Sequence, residues 1–464
     1  MTIWVPDLAR RPGPRYLAIS EALAEDTARG RLPSGTRLPT HRELAERLGL
    51  TVGTVTRAYG EAARRGLVSG EVGRGTFVRG PVAEFAPLSP AGGLAADLSA
   101  NLPPRVTDED RWPSLPRTLA ALSRRKDLGR LLDYPPEGGA PEHRAAGAAW
   151  IRRAGLEAAP EQVLVSSGSQ HGMTAVFSAL LRPGDLVLTE ALTYPGMKAL
   201  AGLLHLRLQA LAMDEHGLVP DALAAACRRA GAKALYLMPT LQNPTTRTIP
   251  EERRREIAGI ARAHGLVVVE DDVHGLLPAS PPRPLSAFLP EQSVYLTGTA
   301  KSLAPGLRIG FVLAPASLVP RLAAAIRTTT WMAAPLMAEI AARWIMEGTA
   351  DAILKRKRKE AAVRQRVALS LLAGSPVESD PAAYHLWLHL PEPWRSETFV
   401  DAARRRGVAV TPAQAFMVGR GAVPAAVRVC LGAAADRAQL EFGLGVLAAL
   451  LTRSPEPAPI TTGP

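Results

Sequence analysis

Seven lysines stand against a chain whose Lys plus Arg count is 55, so arginine is the default cation of this 464-residue sequence. Lys301 is the one set in an uncharged run of small residues, TGTAKSLAPGLRIGF, directly after the apolar VYL. A lysine can shed its proton and act as a nucleophilic amine; an arginine cannot. The same stretch brings Arg308, seven residues on, whose guanidinium can hold a phosphate. Other segments carry matching chemistry. VLVSSGSQHGMTAVF reads as a strand, a small-residue turn through Gly168 and Ser169, and a helix starting near Gln170, which is an anion-binding arrangement. GLVVVEDDVHG ends a buried strand on Glu270, Asp271 and Asp272, and a carboxylate there can keep a pyridinium nitrogen protonated. Asn243, in QNP, can donate to a phenolate oxygen, and Tyr194, in ALTYPG, can stack on an aromatic ring.

These residues need a scaffold. EQVLVSS, DLVLTE, ALYLMP, GLVVVEDD, SVYLTG and RIGFVLA are strand-like runs alternating with helical stretches, which indicates an α/β fold with a largely parallel sheet. The chain changes character near residue 80. PVAEFAPLSPAGGLA, over 81–95, reads as a linker, and SPEPAPITTGP as a flexible tail.

Ahead of the linker the pattern is helical. In LPTHRELAERLGL, Thr40 and Glu43 form a capping box, and Gly49 closes the helix. Thr51 caps the next helix, in which Val55, Ala58, Tyr59, Ala62 and Ala63 make one apolar stripe that Gly66 ends. Two strands around Gly73, Arg74 and Gly75 complete a helix-turn-helix with a wing. Small polar residues at the start of the second helix allow close approach to a groove, and Arg42, Arg57 and Arg74 supply phosphate or base contacts.

Composition bounds the rest. A hydrophobic fraction of 47% and a charged fraction of 21% fit a globular protein with a sizeable core. No signal peptide or membrane-length apolar run is present, so a cytoplasmic protein with no membrane partner is expected. Cys227 and Cys430 are far apart and fit a reducing compartment; no histidine or cysteine spacing suggests a metal site. The net charge of +12 permits a nucleic-acid partner without requiring one.

Residues 16–79 resemble the GntR family winged helix, and about 95–455 resemble the fold type I aminotransferases, whose site residues come in this order. Together the chain resembles the MocR subfamily of GntR regulators. The resemblance implies a winged helix over 1–80, a linker over 81–95, and an aminotransferase-like domain over 96–455, with a smaller α+β subdomain from about 345 and a tail over 456–464. It implies pyridoxal 5′-phosphate as cofactor. Lys301 would hold it as an internal aldimine, Asp271 would pair with the pyridine nitrogen, and Asn243 would hold O3′. Tyr194 would stack on the ring, while Gly168, Ser169, Gln170 and Arg308 bind phosphate. Arg428 would grip an amino-acid carboxylate, and Tyr134 would reach the partner subunit's phosphate in a homodimer, which leaves open a domain swap.

For DNA, the resemblance singles out Arg42, Thr51, Thr54, Thr56 and Gly73, with Val52 where relatives often carry arginine. Two site positions depart from the family pattern. His274 stands where a tyrosine is usual; an imidazole can still donate a hydrogen bond there and titrates near neutrality. Gly298 stands where serine or threonine is usual, with Thr297 or Thr299 as a substitute. The expected function is a DNA-binding regulator sensing an amine, an amino acid or the cofactor. A working aminotransferase and a dimerisation scaffold are the rival expectations.

Overall fold

The computed structural model describes residues 4–8, 11, 13–29, 31, 32, 36–65, 67–71, 75–78, 94–104, 114–419 and 421–453. Gly66, Gly73, Arg74, most of the expected linker and the expected tail lie outside the described residues.

The N-terminal unit has helices Arg15–Ala28, His41–Leu48 and Val52–Arg64, then an antiparallel hairpin of Val68–Glu71 and Gly75–Val78. The capping signals act as expected. The Thr40 side chain accepts from Glu43 N while the Glu43 carboxylate accepts from Thr40 N, and Gly49 ends the helix with a left-handed φ of 62°. Thr51 caps the third helix by accepting from Thr54 N. Val55, Ala58, Tyr59 and Ala62 are buried against Ile19, Leu23 and Leu44, so the stripe is the core of the unit. Its opposite face, with Val52, Thr56 and Arg57, is exposed.

The larger unit is built on a seven-stranded sheet. In spatial order the strands are Val163–Ser166, Gly310–Leu313, Ser293–Gly298, Val267–Asp271, Ala234–Leu237, Leu186–Glu190 and Arg207–Leu211. The six runs read from the sequence are all strands here; Arg207–Leu211 is the additional one. All pairings are parallel except those of Gly310–Leu313, which runs antiparallel to both neighbours. Alternate residues feed two different cores: Leu235 and Leu237 join one, Ala234 and Tyr236 the other. Side chains of a strand point to opposite faces by turns, so a sheet buried on both sides must be apolar throughout.

A second sheet, in the order Val377–Glu378, His385–His389, Ala426–Cys430 and Thr411–Pro412, packs with helices Ser396–Arg405 and Arg437–Leu451. Ala96 and Leu98 belong to this core, so the chain enters the smaller subdomain before it builds the large sheet. The long helix Thr349–Leu371 gives Leu354 and Ala361 to the large core and Ala368 to the small one, which ties the two together.

Candidate functional site

The reversed strand is what assembles the site. Because Gly310–Leu313 lies between Ser293–Gly298 and Val163–Ser166, the register puts Gly298 beside Gly310 and Gly310 beside Ser166. The turn after Ser166 and the turn after Gly298 therefore meet at one edge. The first contains Gly168 and Ser169, and the second leads to Lys301 on the short helix Thr299–Ser302.

Gly168 takes φ 92°, a left-handed conformation that glycine adopts without a Cβ penalty, and the Arg308 guanidinium lies against it: a Cβ there would be 2.8 Å from Arg308 Nη2. The helix Ser169–Leu180 starts at this point, so backbone N–H groups and a guanidinium converge on one spot. That is a phosphate-binding arrangement.

Lys301 Nζ donates to the carbonyl of Asn101, and Tyr384 Oη donates to the Lys301 carbonyl at 3.0 Å. Loss of hydration pulls the Lys301 amine down to about 8, and the positive Arg428 pushes the same way. An appreciable neutral fraction at ordinary pH follows.

Of the three acidic residues in EDD, the structure brings Asp271 to Lys301. Asp271 Oδ2 accepts from Tyr236 Oη at 2.8 Å, and Oδ1 has no partner among the described residues. Burial raises Asp271 to about 6. Glu270 turns to the other face of the sheet, where its carboxylate accepts from Leu285 N, Ser286 N and Ser286 Oγ. Asp272 accepts from Tyr295 Oη at 2.8 Å.

Asn243 and Arg428 form one unit: Arg428 Nη1 donates to Asn243 Oδ1 at 2.8 Å, and Nη2 donates to the Ser99 carbonyl at 2.6 Å. Arg428 Nε has no partner among the described residues, and the guanidinium carbon lies 4.8 Å from the centre of the Phe416 ring. Tyr194 caps the helix Pro195–Leu203, and burial raises its phenol to about 12. Gln170 Oε1 is buried without a partner among the described residues.

Two expectations change. Thr299 Oγ1 donates to the Ile309 carbonyl at 3.1 Å and Thr297 Oγ1 to the Asp272 carbonyl at 3.4 Å, so both hydroxyl protons are engaged inside the protein. The space at residue 298 is instead taken by Ser169, whose Oγ would lie 2.5 Å from a Cβ on Gly298. His274 does not titrate near neutrality: burial pushes it down to about 3. Its Nδ1 is 3.0 Å from the Leu241 carbonyl, so the ring's one N–H is used there, and Nε2 is buried without a partner among the described residues.

Asn101, Tyr236, Tyr384 and His385 escaped sequence reasoning. Tyr236 carried a signal, a hydroxyl-bearing residue inside the apolar run ALYLMP. Asn101 carried none, since it lies just after the expected linker. Tyr134 is 73% exposed, with its ring 5.4 Å from that of Trp331.

Whether these residues suit pyridoxal 5′-phosphate is answered by their unmet polar atoms. Asn101 Oδ1 and Nδ2, Gln170 Oε1, Asp271 Oδ1, His274 Nε2 and Arg428 Nε are all buried and unpaired among the described residues. Buried polar atoms are nearly always paired, so a cluster of exceptions marks a place where a polar ligand completes the bonding. With an amine at Lys301, a carboxylate at Asp271 and an anion cradle at Gly168–Arg308, the donor set fits an aldehyde, a pyridine and a phosphate.

In the N-terminal unit, Arg42, Thr51, Val52 and Thr56 are exposed on one side of the helix-turn-helix. Thr56 Oγ1 pairs with His41 Nδ1 at 3.1 Å, and Thr51 Oγ1 with Thr54 Oγ1 at 2.9 Å. Arg57 is committed differently: its guanidinium stacks 4.0 Å from the centre of the Tyr16 ring, which ties the third helix to the first.

Residues 96–447 match the family described as aminotransferase class I and II, and residues 15–78 match bacterial regulatory proteins of the gntR family. The chain is 31% identical to the uncharacterized HTH-type transcriptional regulator YdeF of Bacillus subtilis (strain 168), over 97% of this chain and 96% of that protein. It is 27% identical to the HTH-type pyridoxine biosynthesis transcriptional regulator PdxR of Corynebacterium glutamicum, over 64% of this chain and 65% of that one. Among solved structures it resembles LysN, the alpha-aminoadipate aminotransferase of Thermus thermophilus, complexed with N-(5′-phosphopyridoxyl)-L-leucine. The TM-score is 0.68 and the identity 26%, with 78% of this chain and 92% of that chain covered.

Proposed function

Since the chain belongs to the HTH-type transcriptional regulators that join a gntR-family DNA-binding domain to an aminotransferase class I and II domain, we propose that it switches operator binding according to what occupies the site at Lys301. It binds DNA, and pyridoxal 5′-phosphate is its cofactor. The observation that carries the reading is the partly neutral Lys301 amine among unmet buried polar atoms, in the same chain as a helix-turn-helix.

When bound, the cofactor supplies an aldehyde that bonds to an amine and can exchange one amine for another. The chain's own residues prepare for it. Lys301 offers the resident amine, and Asp271, oriented by Tyr236, holds a proton on the ring nitrogen. Gly168, Ser169, Gln170 and Arg308 take the phosphate. Tyr194 covers the ring, and the Asn243–Arg428 unit receives the ring oxygen and a carboxylate. Ligands that contact the Arg428 strand differently favour different arrangements of the two winged helices; only such differential affinity can move the equilibrium. The effector is a small amine, an amino acid or a form of the cofactor itself, and the likeness to PdxR supports the last of these.

A homodimer completes the picture. Leu132, Tyr134 and Trp331 are 88%, 73% and 56% exposed, an apolar group suited to a second copy, in which Tyr134 reaches the neighbouring phosphate.

The test is direct. Borohydride reduction of the loaded protein should fix the cofactor on Lys301, read by peptide mass. Lys301→Ala should lose that adduct and keep basal operator binding. Operator binding that is the same with and without cofactor and amines would defeat the switch. The intact Asp271–Lys301–Arg428 set also favours a second reading, an aminotransferase; steady multi-turnover transfer between amino acids and α-keto acids would establish it.

A further inference from the structure

One side chain holds the turn that opens the phosphate cradle. Gly168 N donates to the Ser166 carbonyl at 2.8 Å, and Ser167 N donates to His171 Nδ1 at 3.0 Å. The two N–H groups ahead of the helix Ser169–Leu180 are thus used inside the turn, which leaves the first helical amides for an anion. His171 reaches back from the third position of its helix, as the acid of a capping box does, but one residue further out. Its polarity follows from its partners. Nδ1 accepts, so the neutral ring carries its hydrogen on Nε2. Nε2 is 2.7 Å from Thr329 Oγ1 and 3.4 Å from Thr330 Oγ1. The Thr329 hydroxyl gives its own hydrogen to the carbonyls of Ala325 and Ile326, at 2.9 and 3.0 Å, so its oxygen accepts from Nε2. Burial lowers the His171 pKa, which favours this neutral form. The hydrogen bonds therefore run one way, from the Ser167 amide through His171 to the helix Val319–Thr330.

Resting on the reading of Gly168 and Arg308 as the place of the phosphate, we propose that His171 is a positioning residue: by tying the Ser167 amide to the helix Val319–Thr330, it fixes the turn whose following amides take the phosphate. It acts through Ser167. Without it the Ser167 N–H loses its acceptor and the turn loses its anchor on a second helix. Ordering the turn then falls on the ligand's binding free energy, which is the cost that preorganisation removes. The effect is confined to the phosphate, because the amine at Lys301 and the carboxylate at Asp271 are held by other elements.

Pyridoxal 5′-phosphate and pyridoxal share the ring and the aldehyde and differ in the phosphate, so titrating full-length, cofactor-free protein with each isolates the turn. His171→Leu should weaken pyridoxal 5′-phosphate about three- to tenfold, the scale of one lost hydrogen bond, and leave pyridoxal unchanged. His171→Asn, whose Oδ1 takes the place of Nδ1, should restore most of that affinity. Thr329→Val removes the anchor but keeps the acceptor, and should lose less than His171→Leu. In wild-type protein with ¹⁵N-labelled histidine, the resonances missing from His171→Asn should show a bare Nδ1 and a protonated Nε2. Equal losses for both aldehydes, no loss for pyridoxal 5′-phosphate, or a hydrogen on Nδ1 overturns the proposal. Should His171→Leu fail to fold, Thr329→Val and the wild-type tautomer decide in its place. Wild-type protein that binds the two aldehydes equally defeats the phosphate reading and this one with it; a phosphate preference that survives His171→Leu in full defeats this one alone.

Discussion

Gly298 and Ser169 share one space: a Cβ on residue 298 would stand 2.5 Å from Ser169 Oγ, closer than nonbonded atoms come. A side chain at residue 298 would therefore compete with Ser169 for that space. Both residues sit at strand ends that the reversed strand Gly310–Leu313 brings together.

It follows that Gly298→Ser should harm rather than repair the site. The added side chain displaces Ser169 from the phosphate cradle, and pyridoxal 5′-phosphate affinity should fall by about tenfold or more, the cost of one or two charge-assisted hydrogen bonds. Ser169→Gly alone should also weaken binding. The double variant should recover part of the loss, because the Ser169 clash is gone and only the 3.0 Å approach of the new Cβ to the Ile309 carbonyl remains. Fluorescence titration of cofactor-free protein measures all three.

Arg428 is engaged before any ligand arrives. It bonds Asn243 Oδ1, the Ser99 carbonyl and, at 3.3 Å, Thr411 Oγ1. Arg428→Met should leave those acceptors unmet and lower unfolding stability by about 2–4 kcal/mol, on the scale of a buried charged group's lost bonds. Arg428→Lys should retain the charge and lose the fork, with a smaller stability loss and weaker binding of carboxylate-bearing amines. Denaturant melts and calorimetry separate the two effects.

Much of this arrangement was legible in the chain. The Thr40–Glu43 box and the Thr51 cap are local hydrogen bonds between residues three apart, so sequence specifies them. The choice of Asp271 from EDD was legible through the family pattern, and the alternating faces of the strand explain it physically. Asn101 and His385 were not legible. Asn101 reaches Lys301 only because the chain after the linker crosses into the small subdomain core, and His385 only because its strand pairs with Ala426–Cys430. The polarity of His274 depended on which carbonyl its Nδ1 meets, a tertiary fact.

The Lys301 amine has a stated pH response. Its pKa is lowered to about 8 from the usual 10.5, so the folded protein binds fewer protons than the unfolded chain between those values. Stability should therefore rise with pH across that window through this group, and below about 8 the charged, desolvated amine costs stability in full. The same titration governs capture of an aldehyde, which needs the neutral amine. The capture rate of cofactor-free protein should climb as pH rises toward 8 and level above it, and Lys301→Ala should abolish capture at every pH. Stopped-flow absorbance records it; a flat profile from pH 6 to 9 would contradict a titrating Lys301.

The two arginines of the DNA-binding unit should fail differently. Arg42 is exposed at the start of the second helix, with its charge available to a phosphate. Arg42→Ala should weaken duplex binding and reduce the salt slope by about one, as expected for one lost phosphate contact. Arg57 instead holds its guanidinium on the Tyr16 ring, 4.0 Å away. Arg57→Ala should lower the melting temperature of the unit, at a cost of about 0.5–1 kcal/mol for an exposed cation–π pair. Its salt slope should stay near that of the wild type. Binding isotherms at several salt concentrations, on duplexes enriched by selection against the full chain, give the slopes. Equal slope losses in both variants would mean that Arg57 leaves Tyr16 to meet DNA.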